Sequence, residues 1–193
     1  MAKYEIKDGE GIIPKGVTEI ENDAFRGCTD LTSIEIPVGV TKIGDSAFYG
    51  CTGLTSIKVA EGNKAYDSRN NCNAIIERKT NTLISGCKST VIPDSVTEIG
   101  GVAFSGCTGL TSIVIPKGVT KIGREAFYGC TGLKEVTLPV GVKKIYEYAF
   151  AGCDALETIY VPAKKADYYK KRLPEGLHSL IVELEPENKA KKK

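Results

Sequence analysis

Tryptophan is absent from the 193 residues, histidine and methionine occur once each, and there are only five phenylalanines. The five all fall in one recurring phrase, so the core is an ordered aromatic ladder rather than a dispersed cluster. A single histidine, His178, confines any Ser-His-Asp or Cys-His chemistry to one place near the C-terminus. None of the patterns HExxH, GxSxG or a phosphate-binding P-loop occurs. Gly100-Gly101 has no helix behind it to hold a phosphate. Paired carboxylates are scarce; Asp45 and Glu125 hold neighbouring repeat positions but are expected several units apart in space. No apolar run reaches the ~18 residues that a membrane helix needs. Charge of one sign is also lacking: 26 Lys and Arg face 24 Asp and Glu, a net +2. These absences argue against an enzyme, a cofactor, a nucleic-acid partner and membrane insertion. The opening MAKYEIKDGEG lacks the apolar stretch of a signal peptide.

What is there is repetition. Ala24-Phe25, Ala47-Phe48, Ala103-Phe104, Ala126-Phe127 and Ala149-Phe150 are each followed two residues on by Gly-Cys. The spacing is 23 residues except from Ala47 to Ala103, where 56 residues hold one regular unit and one of 33. Pro14, Pro37, Pro93, Pro116, Pro139 and Pro162 keep the same beat, with Ala60 standing in once. A period of about 20–29 residues with an L-x-x-I-x-I core predicts a leucine-rich repeat solenoid. The expected fold is right-handed, with short parallel β-strands on one face, short strands and single helical turns on the other, and capped ends.

Cutting at the proline assigns residues 14–162 to six repeats, with an N-terminal cap over 1–13. A C-terminal cap of short helix plus strand spans 163–185, and 186–193 is a disordered basic tail. In the fifth unit, Pro116-Lys117-Gly118 makes a turn in which Gly118 is expected to take a positive φ. Val119 and Ile122 point inward, Glu125 to Tyr128 form the helical turn that Gly129 stops, and Lys134 to Leu138 alternate as a half-buried strand. No unit can bury its apolar set alone, so stacking makes one continuous core.

Seven cysteines are present, and Cys28, Cys51, Cys107, Cys130 and Cys153 share one repeat position. Stacked equivalents lie about 4.8 Å apart. Parallel Cβ vectors keep that separation, too wide for the ~3.8 Å a disulfide prefers. Buried free thiols are expected. Zinc is excluded because ligands in a line do not make a tetrahedron.

The third unit, 60–92, carries ten extra residues. Its triplets Ala74-Ile75-Ile76 and Thr82-Leu83-Ile84 read as a hairpin. Asp67, Ser68, Asn70, Asn71 and Asn73 read as turn chemistry, too poor in acid for calcium.

Outward strand positions vary from unit to unit and define the candidate binding face: Ser33, Glu35, Ser56, Lys58, Val91, Ser112, Val114, Glu135, Thr137, Thr158 and Tyr160. Val91, Val114 and Tyr160 put apolar area among serine and threonine, and Tyr is enriched where proteins meet. A protein or glycan ligand, bound by a monomer, is the expectation; a structural or self-assembling scaffold is the alternative. The insert from Tyr66 to Asn81 is the next candidate surface, since loops often carry function.

Val17, Ile20, Ala24, Phe25, Gly27, Cys28, Leu31, Ile34, Ile36 and Pro37 closely match the unit of the BspA-like leucine-rich repeat family, also described from treponemal proteins. The resemblance covers about residues 11–162, and the irregular third unit and the cap IYVPAKKADYYKKRLPEGLHSLIVEL resemble features of Bacteroidetes members. It implies a curved right-handed solenoid, frequent display at the cell surface, and adhesion to host matrix proteins or to other bacteria. With no signal peptide in the chain, localisation stays open between surface or secreted and cytoplasmic.

Overall fold

The computed structural model describes residues 3–185, so the tail expected at 186–193 lies outside the described residues. Residues 23 apart become neighbours in parallel ladders. Ser33–Ile36 pairs with Ser56–Val59, and Ser112–Val114 with Glu135–Thr137 and then Thr158–Val161. Ile34, Ile57, Ile113, Val136 and Ile159 are buried on the inner side of these strands. A slip of one residue would turn every one of them outward, which pins the register. Two-residue strands line a second face: Glu19–Ile20 with Lys42–Ile43, and Glu98–Ile99 with Lys121–Ile122 and Lys144–Ile145.

Both ends are closed. At the N-terminus, Glu5–Lys7 and Glu10–Ile12 form an antiparallel hairpin, and the second strand pairs in parallel with Ser33–Ile36. Tyr4 lays its ring 5.5 Å from that of Phe25. At the C-terminus the short helix of the cap runs over Ala166–Lys170. The strand Ile181–Glu183 then adds to Thr158–Val161. The Glu183 carboxylate accepts from the N–H groups of Lys164 and Ala166, tying the cap together. Tyr169 is fully buried and donates its hydroxyl proton to the Pro139 carbonyl.

The AF phrase is not a helical turn, contrary to the sequence expectation. Arg26 N–H bonds the Asp23 carbonyl and Cys28 N–H the Phe25 carbonyl, a string of four-residue β-turns. The alternate N–H groups, of Asp23, Phe25 and Gly27, donate to Asp45, Ala47 and Tyr49 one coil on. A helix would use those donors internally and leave the next coil without partners. The residue before each Ala-Phe is left-handed, with φ from 54° to 58° at Asp23, Ser46, Val102, Glu125 and Tyr148, which bars helix continuation. Gly118 also departs from expectation, because its φ is not positive. It is glycine for space: a Cβ there would stand 2.6 Å from the Asp94 carbonyl oxygen.

All seven cysteines are free and buried. The thiols of Cys51, Cys130 and Cys153 donate to the carbonyls of Phe25, Phe104 and Phe127, at 3.0, 3.1 and 3.2 Å. Burial pushes Cys51 and Cys107 up to about 12. At pH 8 the reactive thiolate is therefore scarce at these two sulfurs, and burial shields the other ladder thiols from reagent, Cys153 included, where the hydrogen bond with Cys130 lowers the value. Iodoacetamide at pH 8 should leave the ladder thiols unlabelled in native protein and modify them all after denaturation. Intact mass that reveals a bridge between adjacent ladder cysteines would overturn this.

The third unit divides the core. Between Lys42–Ile43 and Glu98–Ile99 the chain places three strands, Tyr66–Asp67, Ala74–Glu77 and Thr82–Gly86, where a regular unit has one. The last two form the expected hairpin, with a bulge at Ile75 and Ile76. Ala74, Ile75 and Ile76 are all buried, because each side of this strand faces apolar packing. Ile75 belongs with Phe25 and Phe48, and Ile76 with Phe104, Phe127 and Phe150. The phenylalanines thus stack in two sets, not one: Phe25 on Phe48 at 5.6 Å, and Phe104, Phe127 and Phe150 at 5.0 and 5.3 Å. Asn63 docks the insert on the second unit, donating to the Pro37 and Val40 carbonyls, while Tyr66 Oη accepts from Ile43 N–H.

Candidate binding surfaces

The eleven residues expected on the sheet face lie in two separate sheets. Ser33, Glu35, Ser56 and Lys58 belong to the first, and Glu35 stands directly beside Lys58. Ser112, Val114, Glu135, Thr137, Thr158 and Tyr160 belong to the second. Val91 lies in neither: it sits outside any strand, its N–H bonded to the Cys72 carbonyl. The interruption is physical. Asn73 inserts its amide into the ladder, donating to Thr55 O at 2.8 Å and accepting from Ile57 N–H at 2.6 Å, so no regular strand can add there. A hollow of about 480 Å³ results, bordered by Glu35, Lys58, Ser68, Asn71, Asn73 and Ser89.

The C-terminal sheet carries an apolar column. Val114, Thr137, Tyr160 and Val182 are register partners across four strands. Val114 is 66% exposed and Val182 46%, with Val91 at 74% one repeat position before Val114. Val182 belongs to the cap strand and escaped the sequence reading, since no repeat phrase marks it.

A second concavity was not legible from the repeat. On the AF side, the third unit supplies only Ser85 and Gly86, and the second unit meets the fourth directly. Gly50 N–H bonds the Ser105 carbonyl, and a Cβ on Gly106 would lie 2.9 Å from Gly50 Cα. From this pinch the coils part into a cleft of about 710 Å³, floored by Ile43, Phe48 and Ile84. Asp45 and Glu125 both line it, from the second and fifth units. They are fewer units apart than the spacing implies, because the third corner is left out and only the fourth unit's corner stands between them. Glu98 and Glu125 are paired with Lys121 and Arg124, each at 3.2 Å.

The remaining sequence candidates are accounted for structurally. Asp67 is held by Arg69 and Arg78 within the insert. His178 hydrogen-bonds the Leu173 carbonyl at 3.0 Å. Among the described residues no three metal-ligating side chains converge. On the AF side Arg26 lies over Tyr49, and Tyr128 is 40% exposed.

Parallel coils of about 23 residues, with buried leucine, isoleucine and phenylalanine columns, define a leucine-rich repeat solenoid. The chain belongs to the BspA type leucine rich repeat region family, whose model matches six copies over residues 9–85 and 74–173. It is similar to a solved leucine-rich repeat protein from Eubacterium ventriosum, at 31% identity and a TM-score of 0.67, over 80% of this chain and 42% of that one. A leucine rich cell surface protein from Faecalibacterium prausnitzii shares 32% identity over 77% of this chain and 46% of its own, with a TM-score of 0.57. A leucine-rich repeat protein from Bacteroides ovatus shares 31% identity over 91% and 42%, with a TM-score of 0.56. The chain therefore spans less than half the length of these structures. No curated protein matches the sequence significantly.

Proposed function

We propose that the protein is a non-catalytic recognition module of the adhesin kind that binds a protein or glycan through its sheet face. The column Val114, Thr137, Tyr160 and Val182 carries this reading: exposed valines at either end and a half-buried tyrosine between them, on a face otherwise made of serine, threonine and charge, with the exposed Val91 one repeat position before it. Solenoids use such extended faces for binding. The similarity to a leucine rich cell surface protein favours a surface setting.

Screening against matrix proteins, mucins and bacterial surface extracts should yield a ligand whose affinity falls at least tenfold, about 1.4 kcal/mol, in the double variant Val114→Ser/Tyr160→Ser. The pair Arg26→Ala/Tyr128→Ala should leave it unchanged; loss in that pair alone would move the contact to the AF side. A second reading is end-to-end self-assembly. It draws on the strand Ile181–Glu183, whose outer edge has no partner among the described residues and which exposes its own Val182 and, just beyond it, Leu184. Concentration-dependent oligomers in light scattering would favour it over a monomeric binder.

A further inference from the structure

We propose that the cleft beside Phe48 is a slot for one extended segment of a partner protein, which takes the place of the corner that the third unit lacks. This site is distinct from the sheet face and does not depend on it.

The argument is in the backbone. At every regular corner the same three N–H groups donate to the same three carbonyls of the following coil: 23, 25 and 27 to 45, 47 and 49; 102, 104 and 106 to 124, 126 and 128; 125, 127 and 129 to 147, 149 and 151. In the second unit the equivalent donors are Ser46, Phe48 and Gly50. Gly50 is satisfied by Ser105, but among the described residues Ser46 N–H and Phe48 N–H have no acceptor. On the facing wall, the equivalent acceptors are Gly101, Ala103 and Ser105. Gly86 and Gly50 occupy the last two, and the Gly101 carbonyl has no donor. Ser46, Phe48 and Gly101 all line the cleft.

Two N–H donors two residues apart on one wall, with a carbonyl on the other, match the edge pattern of an extended peptide. Strand addition to such an edge is an established mode of recognition. Main-chain bonds would supply the affinity, and side chains alternating across the strand the selectivity. Ile43, Phe48 and Ile84 offer an apolar floor for one side chain. Asp45 is exposed at the rim with no ion pair among the described residues, while the other cleft carboxylates are paired within the protein. The uncompensated charge is thus negative, which disfavours an anionic ligand and selects a lysine or arginine beside the inward apolar residue.

The test is panning of a random heptapeptide display library on the full chain, with binding of capped synthetic hits measured by calorimetry. Gly101→Val places a side chain in the slot; its Cβ would meet only the Arg124 carbonyl oxygen, at 3.5 Å, and the backbone there is not left-handed. Asp45→Lys reverses the exposed rim charge and guards against misfolding of the first variant. Hits rich in lysine or arginine are expected, with affinity at least tenfold lower in each variant and unchanged in Val114→Ser/Tyr160→Ser. N-methylation of one peptide nitrogen should cost a similar factor, and the amide resonances of Ser46 and Phe48 should shift on binding. Failure to select any peptide, or hits indifferent to both variants, overturns the proposal. So does an array of neutral oligosaccharides that binds wild type and is lost in Gly101→Val while no peptide binds; the slot would then be a saccharide site.

Discussion

Phe127→Ala should destabilise the protein by about 3–5 kcal/mol, the range for removing a fully buried ring. Phe127 is 0% exposed, and its ring lies between Phe104 at 5.0 Å and Phe150 at 5.3 Å, tilted by only 8° and 3°. The neighbours cannot close over the hole, because Phe104 N–H to Ala126 O and Phe127 N–H to Ala149 O hold the coils at fixed separation. Lys121→Ala, which removes only an exposed pair with Glu98, should cost about 0.5 kcal/mol or less. Phe48→Ala should fall between them, since Phe48 stacks on one ring and borders the cleft. Urea denaturation at matched m-values measures all three; equal midpoints for Phe127→Ala and Lys121→Ala would show that the ring ladder is not core.

Asp67→Asn should cost about 3 kcal/mol at neutral pH, as expected when one partner of a nearly buried charge pair is removed. The Asp67 side chain is only 9% exposed and receives Arg69 Nε at 2.7 Å, Arg69 Nη2 at 2.8 Å and Arg78 Nη1 at 3.2 Å. Burial works against its charge, but the side-chain and backbone hydrogen bonds of Arg69, with the charge of Arg78, outweigh it and hold the carboxyl below its usual range. A folded-state value below the unfolded one gives stability that is complete above the unfolded value of about 3.9. That stability is lost as pH falls through the folded value. The gap in Tm between wild type and variant should therefore be constant from pH 5 to 7 and shrink below about pH 4. A gap that does not change down to pH 2 would mean that Asp67 acts through shape rather than charge.

The repeat phrase made most of the fold legible. A 23-residue beat marks which residues stack, so the buried columns and the reduced cysteines could be read before any coordinates. What the phrase does not encode is hydrogen-bond direction. Glu125-Ala126-Phe127-Tyr128 is good helix material, yet the corner is strung from turns because every other N–H is needed by the coil next door. Glycines hide two different causes: Gly129 has φ 67°, whereas Gly118 only makes room for a neighbouring carbonyl. The insert was visible as a hairpin with asparagine turns, and Asn70, Asn71, Asn73 and Asn81 do take positive φ. Its effect at a distance was not visible. Extra strands on one side of a coil need a missing corner on the other, and no residue type announces that Gly50 will meet Gly106. For the same reason the sheet face, continuous by spacing, is parted at Asn73, and Asp45 and Glu125 come to share a cleft.

The buried strand Ala74–Glu77 has a consequence for how such chains can vary. Stability in a stacked array is carried by contacts between neighbours, and this strand gives each half a neighbour of its own. Whole units can then be added to either arm, or removed from it, while the joint stays as it is. The joint can in turn be resequenced while the arms keep their rings and thiols in line. Reach and the placing of a gripping crevice thus become separately adjustable properties of one scaffold.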